Sequence, residues 1–139
     1  MSDAELTKLL CTLLGDIPGW TWRETAPPYA AGERAIHYGA IPASPDVGIG
    51  VRVYSTSDNA VNGLASRRAQ IRFRGRPGYV DDADNMAQLA FLRLQRLSRV
   101  GGISDIRRDS MTPLGADKND REQRSDNYTI TLDNQEASR

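Results

Sequence analysis

The side chains able to act on a ligand or substrate fall into three groups: a lone histidine, a lone cysteine, and a run of arginines followed by aspartates. His37 stands between Ile36 and Tyr38 in a segment with strand character, and the chain holds no HExxH, CxxC or GxSxG pattern. A hydrolytic triad or a zinc site would have to be built on this one imidazole, so it reads as a structural or surface histidine. Cys11 lies among leucines. One thiol can form neither an internal disulfide nor a thiolate-rich metal site, and it reads as a small core residue. Gly48-Ile49-Gly50 and Gly75-Arg76-Pro77-Gly78 resemble fragments of phosphate loops, but neither carries the Walker lysine or a complete GxGxxG. Asp81, Asp82 and Asp84 lack the twelve-position ligand spread of a calcium loop, and capping of a helix accounts for them without a metal. With no residue set suited to acid-base or nucleophilic work, neither an enzyme nor a cofactor is expected.

The arginines carry the functional weight. Arg67, Arg68, Arg72, Arg74 and Arg76 place five cations within ten residues, with no acid among them. Such charges repel one another unless solvent or an anionic surface lies opposite. A solvated strand face is one reading. Contact with DNA phosphates is a second, in which Arg72 and Arg74 would bind without base readout and affinity would fall steeply with salt. Pairing with carboxylates of a protein neighbour is a third, with Asp81, Asp82 and Asp84 of an identical subunit as candidates. A surface carrying both signs lets head-to-tail copies close into a ring.

These residues lie in the best-defined stretch of the chain. Ala69, Ile71 and Phe73 alternate with Arg68, Gln70, Arg72 and Arg74, which predicts a strand with one apolar and one cationic face. The Gly75 to Gly78 turn ends it. The longest helix follows, capped by Asp81 or Asp82, running to Leu97, with Arg93, Arg96 and Arg99 at its C-terminal end and Gly101-Gly102 as the stop. Ala83, Met86, Ala87, Ala90, Leu94 and Leu97 form its buried stripe, which Leu89, Phe91 and Leu92 widen toward some further cover.

Elsewhere the pattern predicts an N-terminal helix, opened by Ser2 with Glu5 at capping-box spacing and carrying Leu6, Leu9, Leu10, Leu13 and Ile17 on one face. Strands are expected around Trp20 and Trp22, over Ala35 to Ile41, over Val47 to Tyr54, more weakly over Ile103 to Met111, and clearly over Tyr128 to Leu132. Thr25 to Gly32 and Ser55 to Ser66 read as loops. Thr112 to Asp126, with seven charged residues in fifteen, reads as a solvated or partner-ordered loop. Gln135 to Arg139 reads as a fraying tail.

Segregated strands and helices without strict alternation imply an α+β fold: a mixed, mainly antiparallel β-sheet packed with two α-helices. At 139 residues the chain is expected to be a single domain over 1–139. Its 18 basic and 18 acidic residues balance, so any electrostatic role is local. With no run of 18 apolar residues and no signal-peptide pattern, a soluble protein made in a reducing cytoplasm is expected, with no membrane partner.

The run Arg68 to Gly75 followed by Asp81 to Leu94, then Pro113-Leu114-Gly115 and Asp126 to Ile130, resembles the minor capsid or tail terminator proteins of long-tailed bacteriophages. The resemblance is one of architecture from Leu6 to Leu132. It implies a virion protein at the tail-neck junction that assembles as a hexameric ring, caps the tail tube, stops its polymerisation and offers a docking face to the head connector. The implied partners are copies of itself, the tail tube protein, the connector or stopper, and genome DNA passing through the lumen without sequence-specific binding. A neck completion protein is the neighbouring alternative, and a small nucleic-acid-binding module the more distant one. Because a strongly cationic lumen would hinder genome passage, the arginine face is expected at subunit contacts.

Overall fold

The computed structural model describes residues 1–25, 27–58, 65–95 and 97–133. Within them, helix α1 (Asp3–Leu14) is followed by strands β1 (Trp20–Trp22), β2 (Arg34–Tyr38), β3 (Gly48–Asp58) and β4 (Ala65–Arg74), helix α2 (Asp82–Gln95), and strands β5 (Ile103–Ala116) and β6 (Glu122–Leu132). The strands form one six-stranded sheet in the order β1-β2-β3-β4-β6-β5. β1, β2 and β3 run parallel to one another, and every later pairing is antiparallel. The expected α+β class, with two helices on a mainly antiparallel sheet, is therefore observed.

Both helices pack on one face of this sheet. Ser2 caps α1 by accepting from the Glu5 N–H at 3.0 Å, and the helix buries Leu6, Leu10, Leu13 and Leu14 against β2 and β3. Each such leucine contributes about 1.5–3 kcal/mol by leaving water. α2 sets Ala83, Met86, Ala87, Ala90 and Leu94 against β4 and β6 and touches α1. The sheet answers with Ile49, Val51, Val53, Ala69, Ile71, Phe73, Tyr128, Ile130 and Leu132, all buried. Cys11 lies in this core, and burial pushes its thiol up to about 12, so it stays a neutral thiol at neutral pH.

Several segments depart from expectation. β3 runs on to Asp58 through a register shift between Val53 and Ser55, so the polar residues expected to begin a loop pair with β4 instead. The loop expected over Ser55 to Ser66 otherwise lies at 59–64, outside the described residues, as do Ala26, the Arg96 expected near the end of α2, and the tail from 134 onward. β2 stops at Tyr38, and Gly39 to Val47 folds back over the sheet.

The largest correction concerns Thr112 to Asp126, which is no loop. It forms the second half of β5, a tight turn and the first half of β6, with Thr112 opposite Ser125 and Ala116 opposite Glu122. Four of the seven charges counted against regular structure pair within the hairpin, Arg121 with Asp117 and Arg124 with Asp126. Asp117 accepts from the Asn119 and Arg121 N–H groups at 2.9 and 3.0 Å and from the Arg121 guanidinium at 2.8 Å, closing the turn. Pro113 is tolerated because β5 is an edge strand and a register shift falls beside it.

Candidate assembly interface

β4 separates the five arginines by the alternation of its side chains. Arg67 shares the buried parity of Ala65, Ala69, Ile71 and Phe73, whereas Arg68 and Arg72 stand exposed on the opposite face. Arg67 is buried at the rim of α1, where its guanidinium meets Asp3 at 2.8 Å and Asp58 at 2.8 Å. The run is free of acids in sequence, but folding brings acids to it from two other elements.

Arg74 is also internal. It donates to the carbonyls of Asp46, Pro42 and Pro45 at 2.8, 2.7 and 3.0 Å, pinning the loop that follows β2. Arg121 reinforces this clamp through the Ala43 carbonyl at 2.8 Å and Asp46 at 3.2 Å. Gly48 and Gly50 allow the close approach: a Cβ on Gly50 would overlap the Gly39 carbonyl oxygen, and one on Gly48 would overlap the Ile41 side chain. Arg76 pairs with Asp82 at 3.2 Å and lies over the Tyr79 ring, 3.8 Å from its centroid.

The aspartates divide in the same way. Of the two residues expected to cap α2, Asp81 directly precedes the helix and its carbonyl accepts from the Asn85 N–H, whereas the Asp82 carboxylate turns back to accept from the Arg76 N–H at 2.8 Å and faces Arg34 at 3.1 Å. Burial alone would raise its pKa. The Arg76 N–H and the Arg34 and Arg76 guanidiniums outweigh burial and hold it below the usual carboxylate value. Asp84 is exposed and reaches Arg124 at 3.2 Å, and Asp81 is exposed with its carbonyl accepting from the Asn85 N–H. Arg67, Arg74 and Asp82 thus serve the protomer's own fold. Arg68, Arg72, Arg76, Asp81 and Asp84 remain at the surface.

The helix-free face of the sheet gathers residues that sequence reading missed. Register sets Gly50, Arg72, Ser125 and Thr112 in one row and Arg52, Gln70, Asn127 and Ser110 in the next. Arg52 is steadied by Tyr38, whose hydroxyl accepts at 2.8 Å. These polar residues sit at alternating positions of adjacent strands, a signal that only the pairing makes visible. On the helix side, Asp126 is fully buried between Arg124 at 2.7 Å and Arg108 at 3.4 Å, with Arg108 stacked on Phe91.

His37 pairs with Gly50 in the parallel β2–β3 ladder. Its ring meets Tyr29 edge-on at 5.1 Å, and burial, then the nearby Arg74 charge, lowers its pKa. It is therefore neutral at pH 7. No group of three His, Cys, Asp or Glu side chains suited to a metal occurs among the described residues, and no helix of the described residues is long and apolar enough to cross a membrane.

A family model described as bacteriophage tail terminator protein matches residues 13–134. The chain belongs to the bacteriophage tail terminator family. Comparison with curated proteins returns no match. Its family role is that of a structural component of the virion. Family and fold together bear out the resemblance carried by the Arg68 to Gly75 strand and the Asp-rich start of α2.

Proposed function

We propose that this terminator closes as a ring, hexameric as the family resemblance implies, on the last ring of the tail tube. There it stops tube polymerisation and presents a docking face to the head connector. A tube grows because each ring offers a surface that the next ring matches, and such heterologous stacking has no inherent end. A protein that fits one side and does not reproduce the other ends it.

The observation that carries the reading is the family match over 13–134 on a protomer whose two sheet faces differ completely. One face is covered by α1 and α2, and the other bears Arg52, Arg68 and Arg72. The edge strand β5 adds 14 residues of backbone with a partner on one side only, a template for β-augmentation by a neighbouring subunit or tube ring. This preformed hairpin replaces the flexible docking loop expected from the sequence. Genome DNA crosses the lumen without sequence-specific contact in this reading, and the protein assembles in the host cytoplasm.

Electron microscopy of particles made with and without the protein tests the proposal. Tubes of unregulated length and unjoined heads are expected in its absence, with a ring at the tail-neck junction in its presence. Tails of native length in its absence would refute termination.

A further inference from the structure

We infer that the helix-free sheet face is a socket for a second copy of this chain, entered by the projecting Tyr79-Val80-Asp81 turn. The inference rests on the ring reading above and names the two surfaces that would meet. Two shallow clefts of about 300 and 340 Å³ lie side by side on that face, sharing Gln70 and Arg72 as the ridge between them. Thr112, Leu114, Ser125 and Asn127 line the first, and Gly39, Ala40, Gly50 and Arg52 line the second.

Each cleft has the size of a few side chains, not of a nucleic-acid groove. Duplex phosphates would touch the arginine ridge and leave both hollows unfilled, whereas a short projecting loop fills them. Among the described residues no acid lines either cleft, and the Arg72 guanidinium has no hydrogen-bond or ion-pair partner. The guanidinium is open to a carboxylate supplied from outside the protomer. Leu114, 42% exposed, offers an apolar floor beside that charge.

The complementary shape sits on the same molecule. Between β4 and α2, Tyr79 and Val80 are 52% and 76% exposed, and Asp81 follows them. This turn is not slack: Gly78 N–H donates to the Asp120 carbonyl at 3.0 Å, Gly75 N–H donates to the Glu122 carbonyl at 2.9 Å, and Arg76 packs on Tyr79. A rigid knob bearing two apolar side chains and a carboxylate matches a hollow bearing an apolar floor and an unpaired guanidinium. The knob leads into the helix layer and the socket lies on the other face of the sheet. The contact is therefore heterologous, the kind from which rings are built.

A charge exchange tests this contact. Arg72→Glu and Asp81→Arg, each checked for native circular dichroism, are followed by sedimentation alone and as an equimolar mixture. Native chain is expected to associate, each variant alone to associate at least tenfold more weakly, and the mixture to recover. In an alternating assembly every Arg72→Glu socket meets an Asp81→Arg knob, and every native socket meets a native knob. Native association in either single variant, or failure of the mixture to recover, overturns the contact and leaves the ring reading standing. A native chain that stays monomeric at every concentration and on tail tubes overturns both. Loss of salt-dependent duplex DNA retention in Arg72→Glu, with association unchanged, makes the face a phosphate site and refutes the socket.

Discussion

Arg74 and Asp126 show how a charge is made tolerable inside this protomer. Arg74 spends its donors on three loop carbonyls, and replacing it leaves those carbonyls unpaired beneath the Gly39 to Val47 segment. Arg74→Ala is expected to cost about 3 kcal/mol in chemical denaturation. Removing Asp126 strands Arg108 over Phe91 of α2 and leaves Arg124 only the exposed Asp84, so Asp126→Ala is expected to cost about 3 kcal/mol by the same measurement. Asp117 makes a pH prediction. The Arg121 guanidinium, with N–H donors from Arg121 and Asn119, outweighs desolvation and lowers its pKa to about 2. A depressed acid pKa stabilises the fold above the unfolded value, near 3.9, and that stabilisation is lost as pH falls toward 2. Thermal melts of Asp117→Asn should therefore show a shallower loss of stability between about pH 4 and pH 2 than the native chain.

At the scale of elements, the loop after β2 depends on glycine as much as on arginine. Gly50→Ala forces its Cβ against the Gly39 carbonyl and is expected to destabilise by about 2 kcal/mol, read from the denaturation midpoint. The sequence disclosed β4, its turn and α2 because period, cap chemistry and stop signals agree there. It disclosed far less of the β5–β6 hairpin. Counting seven charges between Thr112 and Asp126 treats each as solvated, whereas Arg121 folds onto Asp117 and Arg124 onto Asp126. The same error made the arginine run appear unrelieved, since Asp3 lies 64 positions from Arg67 and no local pattern connects them. Arg68 and Arg72 were legible as surface charge because they alternate with the buried Ala69, Ile71 and Phe73 along β4. The cross-strand rows that bring Arg52, Gln70 and Asn127 together were invisible until register was known.

At the scale of the whole molecule, a balanced net charge conceals a polarised body. Helices cover one side of the sheet, the Arg52, Arg68 and Arg72 guanidiniums mark the other, and an apolar knob projects where β4 turns into α2. Self-association through these surfaces should weaken as salt rises, since exposed charges are screened within about 10 Å at 0.1 M. A comparison of sedimentation at low and high ionic strength checks this, and a salt-insensitive assembly would assign the contact to apolar packing or main-chain pairing instead.

The strand order also sets a timetable for synthesis. Among the described residues, β6 leaves the ribosome after every other strand, yet it lies between β4 and β5 and joins β5 to the rest of the sheet. Until it is made, β4 has a raw edge and β5 has nothing to pair with. A nascent or truncated chain ending before Glu122 would therefore hold two hungry strand edges in a crowded cell, inviting aggregation between chains. Pairing of β6 closes the β4 edge and one side of β5, leaving the outer side of β5 as the edge open to a neighbour.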